Sequence, residues 1–413
     1  MSTPDQLASQ AEAQGDGGPR AAVMAECRRV LHQNWREGVH DGQAFAYTAP
    51  SPGRYPWQWY WDSCLTAIAW RRFDPARARA ELESLLRAAD PDGFIGHTIF
   101  WGEPVPRLRS LYYNVLSRRD FMTATIQPPL LAWAWRIAVG DPAQEPCIVA
   151  HHRAVEARRD FEGDGLLWII QPDESGLDAA PNFDDVWGWR ANGLPGFPLL
   201  VRRNRRLGFD AARVRAAGGP VVCSPLVNVL HCLSRLALGR PSITGALVDR
   251  LYDERRGLFL QQVYPKCERP QVITWAALSP LALPDLPEAI ARRLVEEHLL
   301  DPEQFWLPVP PPSVSASEPS FSVNDRFLGL RRYWRGPTWV NSAWLVWMGL
   351  LRLGYEEQAA DLAGRLIGAV ARAGLREYYH PITGRGMGAR DFAWSALAAE
   401  LIAQDPAASM SYL

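Results

Sequence analysis

Aromatic residues and carboxyl or amide groups occur together in several stretches of this 413-residue chain. They are "YPWQWYWDSC" (55–64), "TATIQPPLLAW" (123–133), "DESGLDAAPNFDD" (173–185), "YWRGPTW" (333–339) and "REYYHPITGRG" (376–386). Sugars present apolar C–H faces edged with hydroxyls, so flat rings beside Asp, Gln or Arg suit them jointly. The 18 Trp of the chain exceed what packing ordinarily calls for. Cleaving a glycosidic bond needs two carboxyl groups, one to protonate the leaving oxygen and one to activate water or attack the anomeric carbon. Asp178 and Glu377 are the best placed candidates. Each stretch also has a structural reading. The Trp-rich run can be core, Asp62 a helix N-cap, Asp178 a turn former and Asp184 or Asp185 a further cap. Glu377 can be a solvated surface residue, and Gln127 can simply lead into a helix.

The elements that must position these groups read as helices. "WVNSAWLVWMGLLRLG" spaces Val340, Trp344, Trp347 and Leu351 near the helical period and is apolar almost all round, which predicts a buried helix stopped near Gly354. "YEEQAADLAGRLIGAVARAG" carries one stripe, Leu362, Leu366, Ile367 and Val370, and predicts an amphipathic helix ended by Gly374. The same alternation is readable in "CLTAIAWRRF" with "PARARAELESLLRAA", and in "QPPLLAWAWRIAVG" with "AQEPCIVAHHRAVEARRDF". Clean period-two patterns are scarce, so the expected fold is all-α, with paired inner and outer helices. Long connections near 90–126, 170–198 and 301–336 are expected to carry function. Residues 1–20 read as a flexible tail and 21–413 as a single domain.

Composition narrows the function. A formal net charge of -1 gives no footprint for nucleic acid or an anionic membrane, so a soluble partner or a neutral substrate fits better, and with the aromatic stretches a small carbohydrate is the expected partner. Lys266 is the only lysine, so Schiff-base chemistry has little to work with and no P-loop lysine exists. The six cysteines are scattered without a CxxC pair and read as structural thiols. No secretion signal and no run of 18 apolar residues is seen, so a cytoplasmic location is expected. No metal or organic cofactor is expected.

Taken in order, Y-P-x-x-W-x-W-D, Q-P-P, E-S-G-x-D-x-x-P, Y-W-R-G-P-x-W, E-Y-Y-x-P-x-T-G and F-x-W resemble glycoside hydrolase family 63 over residues 55 to about 395. The branch most similar is the compact bacterial group related to mannosylglycerate and glucosylglycerate hydrolases. The resemblance implies an (α/α)6 barrel with long loops at one end and inversion at the anomeric carbon of a small α-glucoside or α-mannoside. It implies Asp178 as general acid and Glu377 as general base. It places Tyr55, Trp59, Trp61, Asp62 and Gln127 in the glycone subsite, with Tyr333, Trp334, Arg335 and Trp339 completing the wall. In these roles Asp178 must stay protonated, which apolar surroundings favour.

The chain departs from the family pattern in several places. Ala179 and Ala180 stand where Asn-Ser usually follows the acid, Asp173 stands where a Trp precedes E-S-G, and Phe392 replaces an expected glycerate-contacting amide. The segment after the acid, "LPGFPLLVRRNRRLGFD", is shortened; its arginines read as a solvated helix face rather than an aglycone site. Two rival readings stay open at this stage. A sugar epimerase or phosphorylase on a related barrel would draw on His97 or His380. A sugar-binding or sensing protein on a degenerate barrel would use no catalysis.

Overall fold

In a computed structural model, the described residues are 18–102, 118–119, 121–188, 195–265, 272–327, 330–331 and 333–403. Buried and half-exposed helices alternate as the apolar pattern demands. Tyr60–Trp70 is buried along its whole length, whereas Pro75–Arg87 buries only Ala78, Glu81, Leu82, Ser84 and Leu85. Pro75 opens that second helix without losing a bond, and the Asp74 side chain accepts from the Ala76 and Arg77 N–H groups. Val340–Arg352 is buried through Leu350, and Glu356–Ala373 buries the predicted stripe Leu362, Leu366, Ile367 and Val370. Gly354 and Gly374 follow these two helices, as their positions predict.

The buried segments lie against one another in succession. Tyr60–Trp70 meets Leu131–Ala138, which meets Pro225–Ala237, then the 3-10 helix Trp275–Ala282, then Val340–Arg352, then Ala393–Leu397, which returns to Tyr60–Trp70. Outside them pack Pro75–Arg87, Glu145–Arg159, Thr244–Leu251, Leu294–Leu299, Glu356–Ala373 and Gly18–Asn34. The return contact is stapled by Glu400, whose carboxylate takes Arg71 at 2.5 Å and Arg72 at 2.9 Å. The first helix starts at Gly18, inside the expected tail; the remainder of that tail lies outside the described residues.

Short antiparallel strands interrupt the helices and correct the purely helical expectation. Gln58–Trp59, Thr98–Ile99, Met122–Thr123 and Arg118–Arg119 form one sheet in that order. Arg376–Tyr379 pairs with Gly386–Arg390 as a hairpin. Strands of two residues are too short to display a period-two signature. Cys27, Cys64, Cys223 and Cys232 are buried free thiols and Cys147 is exposed, while Cys267 and Lys266 lie outside the described residues. Among the described residues no helix is long and apolar enough to cross a membrane.

Candidate active site

Glu377 stands on the Arg376–Tyr379 strand, where the hairpin register shifts between Arg376 and Tyr378. The irregularity accompanies an inward-facing side chain, only 3% exposed. Its Oε1 accepts from the Tyr55 hydroxyl at 2.9 Å and its Oε2 from the Ala389 N–H at 2.7 Å. Arg54 Nη1 adds an ion pair at 3.4 Å. The opposite strand closes in through Gly388, whose φ of +67° favours glycine and whose missing Cβ would lie 2.6 Å from Glu377 Cβ and Oε2. The surface reading of Glu377 therefore gives way to a clamped, buried carboxylate.

Asp178 follows a tight turn. The 3-10 helix Pro172–Ser175 ends at Gly176, with φ +74° and no room for a side chain: a Cβ would stand 2.6 Å from the Trp61 ring. Glu174 anchors the turn, fully buried, ion-paired with Arg159 and accepting from the Ile170 N–H at 2.8 Å and the Ile126 N–H at 3.2 Å. Asp178 is half-buried, and the Tyr333 hydroxyl donates to its Oδ2 at 2.6 Å. Beyond it, Asn182 exchanges hydrogen bonds with Gln261 at 2.6 and 2.7 Å, and Asp184 pairs with Arg335 at 2.5 Å.

The aromatic stretch 55–62 lies between these two carboxyl groups. Tyr55 bonds Glu377, and Trp61 packs on the turn leading to Asp178. Trp59 is half-buried between Tyr55 and the His97 ring, with centroids 5.9 and 5.5 Å away. Asp62 sits in the first helical turn, and the N-cap is Trp59, so the capping role considered for Asp62 is not the one it has. Burial, with the Glu377 charge adding to it, pushes the Asp62 carboxyl well above the usual range. Gln127 Oε1 accepts from the Trp61 N–H at 3.0 Å, satisfying one of the helix's orphan donors.

Three expected wall residues are placed differently. Trp334 and Trp339 are each 1% exposed and stack on one another at 3.8 Å, with Trp275 behind Trp334 and Tyr378 against Trp339. They back the wall rather than face it. Arg335 is buried and bound to Asp184, so its guanidinium braces the loop after Asp178. Tyr333 alone of this group is part-exposed. Phe392 lies edge-on to Tyr55 and Trp394, on the Glu377 side.

Sequence reasoning missed Arg54, Tyr378, Trp394 and the Ala389 N–H. A basic residue directly before Tyr55 was the one available signal. Neither histidine offered to an epimerase suits that role. His97 is buried, its Nδ1 lies 2.6 Å from Thr125 Oγ1, and desolvation pushes its pKa down to about 3. His380 Nδ1 accepts turn N–H groups from Ile382 and Thr383. Among the described residues no three His, Cys, Asp or Glu side chains are grouped to hold a metal ion.

The chain matches the family described as "Mannosylglycerate hydrolase MGH1-like glycoside hydrolase domain" over residues 55–240 and 239–395. A mannosylglycerate hydrolase of Rubrobacter radiotolerans is 27% identical, covering 92% of this chain and 96% of the relative. Mannosylglycerate hydrolase MGH2 of Selaginella moellendorffii is also 27% identical, over 91% of this chain and 84% of its own length. The crystal structure of a GH63 mannosylglycerate hydrolase from Thermus thermophilus in complex with glucose superposes with a TM-score of 0.76 at 26% identity, covering 92% and 99% of the two chains.

Proposed function

From the premise that the chain belongs to the mannosylglycerate hydrolase MGH1-like glycoside hydrolase family, we propose an inverting α-glycosidase with Asp178 as general acid and Glu377 as general base. One observation carries this assignment: a single aromatic stretch, Tyr55–Asp62, touches Glu377 through Tyr55 and the turn leading to Asp178 through Trp61. The closed succession of buried segments supports an (α/α)6 barrel, with residues 21–413 as one catalytic domain. A location in the cytoplasm goes with this reading.

The substrate is a small α-glucoside or α-mannoside, and the names of the relatives favour glycerate as aglycone. Its glycone lies along Trp59 and Trp61, with Asp62 and the Gln127 amide taking hydroxyls. Asp178 delivers its proton to the glycosidic oxygen while the Tyr333 hydroxyl holds Oδ2 and fixes the rotamer. Glu377 takes a proton from a water that attacks the anomeric carbon from the opposite face, which requires about 6.5–9.5 Å between the carboxyl groups. The base must present one carboxylate lobe to that water, and Tyr55, Ala389 and Arg54 hold it in place. The chemistry runs on carboxyl groups and water.

The test is hydrolysis of α-mannosylglycerate and α-glucosylglycerate by Asp178→Asn and Glu377→Gln. Each variant should fold normally and lose turnover by about 10²–10⁴-fold. Near-normal turnover by either would overturn the corresponding assignment.

A further inference from the structure

Tyr378 follows the proposed base directly in sequence, yet its side chain packs on the acid's partner. It is buried on the Arg376–Tyr379 strand. Its ring runs nearly parallel to that of Tyr333, with centroids 6.1 Å apart and planes 12° from one another. Tyr333 is the residue whose hydroxyl donates to Asp178 Oδ2 at 2.6 Å. Adjacent side chains of a regular strand point to opposite faces, but here the register shifts between Arg376 and Tyr378. A Cβ on Gly388 would stand 2.6 Å from both Glu377 Cβ and Tyr378 Cε1, so the two consecutive side chains meet one point of the opposite strand.

The Tyr378 ring is itself held at both ends. Its hydroxyl donates to Asp325 Oδ2 at 2.7 Å, and Trp339 packs on it with centroids 4.7 Å apart. Next along the strand, Tyr379 and Thr338 exchange backbone hydrogen bonds at 2.8 Å, which ties the Glu377 strand to the stretch that carries Tyr333. Tyr333 is part-exposed and rests on this buried backing, with Trp339 at 5.9 Å as its second ring neighbour. The Glu377 carboxylate does not use the Tyr378 side chain: its contacts are with Tyr55, the Ala389 N–H and Arg54.

We propose that Tyr378 is a positioning residue for Asp178 that acts through Tyr333: its ring fixes where the Tyr333 hydroxyl stands, and so how the acid presents its proton to the leaving oxygen. The inference rests on Asp178 being the acid. An offset aromatic pair has a preferred geometry, so a clamped ring restrains a mobile one laid against it. A small displacement of a catalytic group is costly in rate, and the group displaced here is the acid. Because Glu377 keeps its own contacts, the effect falls on protonation of the leaving group rather than on attack by water. No covalent step is added to the reaction.

The experiment compares two substrates of the same sugar: α-mannosylglycerate or α-glucosylglycerate, whichever is turned over, and the matching α-glycosyl fluoride, whose fluoride departs without a proton from the acid. Tyr378→Leu should lower kcat on the glycerate about tenfold and on the fluoride less than about threefold, with KM for each nearly unchanged. Tyr378→Phe keeps the ring and gives up only the Asp325 bond, so it should recover most of the lost glycerate activity. If Tyr378→Leu does not fold, Tyr378→Met, closer to the ring in volume, gives the same comparison. Equal losses on the two substrates, or unchanged glycerate turnover, would make Tyr378 a packing residue only and overturn the proposal. Undiminished glycerate turnover by Asp178→Asn would instead remove its foundation, whatever Tyr378→Leu does.

Discussion

Glu377 and Asp178 are held by different kinds of structure. On the Glu377 side, a hairpin supplies a backbone N–H from Ala389, a glycine that lets the strand approach, and a register irregularity beside an inward-facing acid. On the Asp178 side, the carboxyl is reached by a tyrosine from a distant loop, and the chain that follows is braced by the Asn182–Gln261 and Asp184–Arg335 contacts. Glu377 is buried and Asp178 half-exposed. A base that positions one small water gains from rigidity, whereas an acid that must meet differently shaped leaving groups is better served by side chains on loops.

This contrast can be sharpened by substitution. The largest effect is expected from Gly388→Ala, which places a methyl 2.6 Å from Glu377 Oε2 and forces a left-handed φ on alanine. Displacing Glu377 by such an amount should lower kcat by about 10²-fold, measured in steady-state kinetics on folded protein, with a melting temperature that falls as well. Tyr333→Phe removes one hydrogen bond to Asp178 and should lower kcat/KM by about tenfold. If it matched Gly388→Ala, the acid would be as tightly preset as the base and the distinction would fail. Arg335→Met leaves Asp184, about a third exposed, without its guanidinium; a loss of roughly 1–2 kcal/mol in denaturant unfolding is expected, discounted for that exposure.

A further effect lies away from both carboxyl groups, under the aromatic stretch. Glu81 is fully buried, accepts from the Thr48 N–H and from the Thr48 and Thr66 hydroxyls, and is pushed up to about 7 by desolvation. Because its folded-state pKa is raised, the native protein binds the extra proton. Glu81 should therefore add a falling component to stability as pH rises from about 4.5 to about 7. Glu81→Gln should flatten that part of the curve in urea melts, and an unchanged slope would show that Glu81 keeps its charge.

Much of the helical frame was legible because buried and amphipathic helices leave different apolar stripes, as 340–352 and 356–373 show. The candidate site was legible as residue types and less so as roles. Gln127 offers the same amide to a helix end as to a sugar, and only the fold reveals that its oxygen serves Trp61. Trp334 and Trp339 read as ligand wall because a stacked pair inside a core has the same composition as one on a surface. Arg54 and Tyr55 meet Glu377 across 322 residues of sequence for the tyrosine, a closure that no local pattern encodes. The two-residue strands were invisible for want of a period.

The central claim is that Asp178 and Glu377 act together by direct displacement with water. Proton NMR of the sugar first released from an α-mannosyl or α-glucosyl glycerate, recorded before mutarotation, tests it most directly. The β anomer is expected as the initial product. An initial α anomer would mean retention through a covalent intermediate and would contradict the roles assigned to both carboxyl groups.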